Sequence, residues 1–108
     1  MLTEDKKRTA QRALQDRILK GEGRASPDQR VRAFTNAGMP EPLHALLGKV
    51  ATRPTQVTEA DFAAAHASGF SEDQIFELVI CAAVGQSTRQ YEAGLAALAE
   101  AIASGEGG

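Results

Sequence analysis

The stretch Ile75-Phe-Glu-Leu-Val-Ile-Cys-Ala-Ala-Val84 constrains this chain more than any other part of it. It is apolar on almost every side apart from Glu77 and follows the full capping box Ser71-Glu-Asp-Gln74, so it reads as a helix surrounded by protein. Beyond it, Cys81, Val84, Thr88, Tyr91, Leu95, Leu98 and Ile102 keep a three-four spacing. That spacing predicts one helix reaching about residue 103, with Gly85 and Gly94 admitting another backbone at close range.

Little else in the chain can cover such a helix. Of its 108 residues 20 are alanine, there is no tryptophan, and four phenylalanines and one tyrosine are the only aromatics. The length allows one core, and the scarcity of β-branched and aromatic runs argues against a sandwich or barrel. The expectation is an all-α subunit of about five helices. Its long C-terminal helix is buried, and it assembles as an oligomer because one subunit has too few large side chains to cover that helix.

The preceding segments punctuate clearly. Thr3 is placed to cap a first, weakly apolar helix through Ala10, Leu14 and Ile18 to Gly21. Ser26-Pro27 opens a second with Val31 and Phe34 inward, ending at Gly38. A third starts at Pro40 and Pro42, carries Leu43, Leu46, Leu47 and Val50 on one stripe, and is stopped by Pro54. Thr58 with Asp61 forms a capping box for a fourth, with Phe62, Ala63 and Ala65, that closes at Ser68-Gly69. The organisation expected is a basic N-terminal helix over 1–22, a helical domain over 23–103 and a flexible tail over 104–108.

Charge is divided unevenly: residues 1–53 carry about +5, and residues 54–108 about −7 with Arg89 as their sole cation. Cations in the first half alternate with acids and no aromatic platforms lie between them, so nucleic acid is not the expected partner. An acidic surface of the same chain or of a neighbouring subunit is. No apolar stretch reaches the about 18 residues needed to span a bilayer, and the start is charged, so a cytoplasmic protein without membrane contact is expected. The single cysteine, Cys81, excludes an internal disulfide, a Cys-x-x-Cys pair and a thiolate zinc cage; neither metal nor cofactor is expected.

The run from Val57 to Gly85, with Gly94-Leu-Ala-Ala-Leu98 after it, resembles the alkylhydroperoxidase D-like and carboxymuconolactone decarboxylase superfamily. The likeness covers roughly residues 40–100 and is most specific over Ala67-Ser-Gly-Phe-Ser-Glu-Asp-Gln-Ile-Phe-Glu-Leu78. It implies an all-helical fold and a homo-oligomer, a trimer or hexamer. The peroxidase branch of that superfamily carries Cys-x-x-Cys-x-x-x-His. Projected back from Gly69, the histidine position falls on Asp61 and the two cysteines on Val57 and Pro54, while the family glutamate falls on Pro42, beside Glu41. Without two thiols there is no peroxidatic attack followed by disulfide resolution. The resemblance therefore implies a non-redox binding or assembly protein. Its alternative is a decarboxylase- or isomerase-type enzyme acting on a carboxylated substrate, and a surviving alkylhydroperoxidase ranks behind both.

Several side chains are candidates for chemistry. Glu41 and His44 are spaced to share a helix face as an acid/base pair or half a metal site, though a solvated histidine near a carboxylate is the plainer reading. His66 falls near a helix C-terminus, where it serves as a proton-transfer group or merely as a cap. Cys81, inside the apolar run, reads as a small hydrophobe. The polar block Gln86-Ser-Thr-Arg-Gln-Tyr91 interrupts the long helix, and Arg89 within it requires a carboxylate, a carbonyl or an anionic ligand. Glu77 or Glu92 is its structural partner on this reading; otherwise Gln86, Arg89 and Tyr91 form a pocket for a small organic acid, as the resemblance to decarboxylases implies.

Overall fold

The computed structural model describes residues 2–105, with side chains from Lys6 onward; the expected flexible tail falls largely on residues 106–108, outside them. The fold is all-helical: α1 (Leu2–Lys20), α2 (Pro27–Thr35), α3 (Leu43–Thr52), a 3-10 turn at Pro54–Gln56, α4 (Glu59–Ala67) and α5 (Glu72–Ala103). No described helix is long and apolar enough to cross a membrane.

Three helices begin as their capping boxes dictate. Ser26 accepts from the Gln29 amide and Gln29 reaches back to the Ser26 amide, and the same exchange joins Thr58 to Asp61 and Ser71 to Gln74. Helix α1 departs from the expectation, since its backbone is already helical at Leu2 and Thr3 lies inside the first turn. Helix α2 ends earlier than Gly38. Asn36 takes the left-handed conformation at φ 55° and returns its amide to α2, leaving Gly38, at φ 77°, to turn the chain after the cap.

Helices α2 and α3 lie on one side of α5, and α4 lies against α3 and the start of α5. The core is Leu43, Leu46 and Leu47 of α3 packed on Ile75, Leu78, Cys81 and Ala82 of α5, closed by Ala33 and Ala65, with Val50 and Phe34 partly buried around it. The α3 stripe is as read from the sequence. The α2 stripe holds only in part: Phe34 packs against the core, but Val31 is exposed and Arg30 and Ala33 are the buried residues of the helix.

Helix α5 sets the overall shape. At about 1.5 Å per residue its 32 residues span about 48 Å, close to the 56 Å long axis of the molecule. Within the subunit it is buried on one side only, at Ile75, Leu78, Cys81, Ala82 and Gly85, whereas Phe76 is 65% exposed and Ile102 66%. The end of α2 reaches α5 at Gly85, where an added Cβ would overlap the backbone carbonyl of Phe34.

Candidate functional site

The most densely bonded polar cluster lies under the α1–α2 connection, on residues the sequence did not single out together. Glu77, the one acid in the apolar stretch of α5, accepts from the Arg24 amide at 2.9 and 2.7 Å and from the Ala25 amide at 3.0 Å. Gly23 makes this approach feasible, because a Cβ there would collide with the Glu77 carboxylate. Arg30, 5% exposed, supplies the opposite chemistry. Its guanidinium donates to the carbonyl of Ile18 in the last turn of α1 and to those of Gly21 and Ala25 in the connection after it.

Burial pushes the Glu77 carboxyl up, but the two backbone amides and the charges of Arg30 and Arg24 outweigh it and hold the group below its ordinary value of 4.5. Cys81 lies beside this cluster, with its Sγ 3.9 Å from the Ile18 carbonyl oxygen. Burial raises the thiol to about 11, against the lowering effect of Arg30 and with a further rise from Glu77. A thiol so placed is almost wholly protonated near neutrality and is a poor nucleophile. It should react slowly with a thiol reagent in the native protein and rapidly after unfolding, and Cys81→Ala should cost about 1 kcal/mol. Fast native labelling would return attention to redox chemistry.

The polar block of α5 divides over two sides of the helix. Arg89 donates to the Phe34 carbonyl at 2.6 Å and to Gln86 Oε1 at 2.9 Å, so the partner it meets is a carbonyl at the end of α2. Neither glutamate named from the sequence pairs with it: Glu77 holds backbone amides, and Glu92 lies 3.8 Å from Arg8 of α1. That last contact sets one cation of α1 against the acidic half of the same chain. Tyr91 faces α1 instead, in a polar cavity of about 250 Å³ shared with Arg8, Gln11, Arg12, Gln15 and Thr88, where Gln11 donates to Thr88 Oγ1 at 2.9 Å. Gln86 and Arg89 are thus brought together, and Tyr91 is not with them.

Glu41 and His44 are both exposed, and no hydrogen bond or ion pair joins them. His66 is better placed. Its Nδ1 lies 2.9 Å from the Phe70 carbonyl oxygen, and its ring lines a groove of about 360 Å³ with Phe62, Ala63, Glu72 and Ile75. Asp61, at the position that the family resemblance assigns to histidine, caps α4 through the Thr58 amide and pairs with Lys49 at 3.0 Å; these bonds hold its carboxyl below the ordinary range. Among the described residues no three His, Cys, Asp or Glu side chains gather as a metal site.

No family model, curated protein or solved structure matches this chain.

Proposed function

We propose that the chain is a non-redox, self-assembling helical protein of the carboxymuconolactone decarboxylase-like type, with the outer side of α5 as its assembly surface. The supporting observation is that α5 is apolar on two opposite sides. One side packs on α2 and α3. The other carries Phe76, Ala83, Gly94, Leu98 and Ile102 at helical spacing, and Phe76, Leu98 and Ile102 are 57% exposed or more.

Gly94 adds weight to this reading. It sits in the interior of α5, where glycine costs about 1 kcal/mol relative to alanine, yet among the described residues nothing beyond its own stretch of helix lies within 4 Å of where its Cβ would be. Ser87, on the same side, turns its hydroxyl back to the Ala83 and Val84 carbonyls, which leaves a low surface suited to a closely packed neighbour. A trimer or hexamer is the assembly that the family resemblance implies. A peroxidase role has no support in a chain whose one thiol is buried and unpaired. The enzyme alternative requires Arg89 to exchange the Phe34 carbonyl for a substrate carboxylate.

Light scattering at micromolar concentration should return a multiple of the 11.4 kDa subunit mass. Leu98→Glu combined with Ile102→Glu should return a smaller species of unchanged helix content, because both side chains are outside the subunit core. A wild-type protein that is monomeric and melts cooperatively would rule the reading out.

A further inference from the structure

The groove between α4 and the first turn of α5 is walled by Phe62 and Ala63, floored by Ile75, which is 4% exposed, and edged by the polar groups of His66 and Glu72. At about 360 Å³ it falls at the small end of ligand sites, which run from about 300 to 1,000 Å³.

Its polar edge is one-sided. Because Nδ1 of His66 faces a carbonyl oxygen, that nitrogen must carry the proton, and in the neutral ring Nε2 is left as an acceptor. Glu72 has no hydrogen bond or ion pair with any described residue, and its carboxylate is an acceptor too. Phe62 is 41% exposed and presents an aromatic surface of the kind that attracts cations. The C-terminal end of α4, where the His66 carbonyl accepts only from Gly69, brings the negative end of a helix dipole to the same edge. The positive end of α5 is offset by Glu72 and Asp73 in its first turn. Two acceptors, an aromatic wall and no fixed cation favour a donor over a carboxylate while His66 is neutral.

We infer that this groove is a binding site for a small apolar ammonium compound, an arylalkylamine in chemical class, with its ring on Ile75 and Phe62 and its ammonium between Glu72 and His66 Nε2. The groove lies on the α4 side of α5, with Glu72 one helical turn before Phe76 of the proposed assembly surface. It also takes the opposite charge from the organic acid that the family resemblance implies.

Phenethylammonium and phenylacetate are close in shape and opposite in charge, and titration of each followed by calorimetry or amide chemical shifts tests the assignment. Phenethylammonium should bind saturably with a dissociation constant of about 1 mM or tighter, and phenylacetate should not. Glu72→Gln should weaken the amine about tenfold or more, while Asp73→Asn, a neighbouring acid that does not line the groove, should leave it within about twofold. Both variants lie on the exposed first turn of α5, and a cooperative melt with native helix content in the absence of ligand shows that they fold. Equal binding of the two compounds, equal weakening by the two variants, or no saturable binding of the amine overturns the inference.

Discussion

Gly85→Ala will unfold the subunit or leave it at the edge of folding. The helix α5 runs past the end of α2 so closely that a methyl group at residue 85 would occupy the space of the Phe34 carbonyl. The obstacle is backbone, which has no rotamer to escape into, and the same carbonyl is held from its other side by Arg89. Relieving the overlap means lifting α2 from α5, which is the main packing contact of the fold. A loss of about 3 kcal/mol or more is expected, a large share of the stability of so small a domain. Gly48→Ala is the matched control, because it also sits mid-helix but has nothing within 4 Å of the added Cβ; it should gain up to about 1 kcal/mol from helix propensity. Urea titrations of the two variants beside the wild type decide the matter. A Gly85→Ala protein as stable as wild type would mean that α2 and α5 are farther apart than described.

The elements that were legible from the sequence share a property: their signals are local. Capping boxes span four residues and the α3 stripe spans eight, so Ser26, Thr58, Ser71 and the leucines of α3 could be placed without knowing what they pack against. Helix α2 was misread for the opposite reason. Apolar periodicity points Val31 and Phe34 inward, and Phe34 does pack on the core, but the carbonyls at the end of α1 and in the loop after it need a donor, and Arg30 rather than Val31 turns inward to provide one. The need of a segment twelve residues upstream outweighed the pattern within the helix. Helix α5 shows the same limit, since a run apolar all round implies covering on all sides, and the subunit covers one. The His66 groove depended on tertiary placement as well: His66 was visible as a candidate, whereas Glu72 was visible only as an interior residue of the Ser71-Glu-Asp-Gln74 capping box and Phe62 only as a residue of the fourth helix.

Glu77→Gln is the second change with a large expected effect, and it tests whether the connection between α1 and the rest of the fold is held by charge. Its carboxylate takes three bonds from two amides that lie 52 and 53 residues away in sequence, and Ala25, which bears one of them, is 2% exposed. A glutamine side chain keeps the volume but turns an NH₂ toward one of those donors and removes the charge that balances the buried Arg30. About 2 kcal/mol should be lost at pH 7. The dependence on pH has a definite sign. Because the folded carboxyl titrates below its ordinary 4.5, Glu77 stabilises the fold fully above that pH, and this contribution disappears as pH falls through the lower folded value. The gap between wild type and Glu77→Gln should therefore be widest near neutrality and close in acid. A gap that stays constant from neutral to acid pH would assign the effect to packing. Cys81 gives an independent readout, since its sulfur lies against the Ile18 carbonyl that Arg30 also holds. If Glu77 fastens α1, its replacement must speed native labelling of that thiol by more than the loss of the Glu77 charge does through thiol acidity, which a pH series of the labelling rate separates, even under conditions where the core of α3 and α5 stays folded.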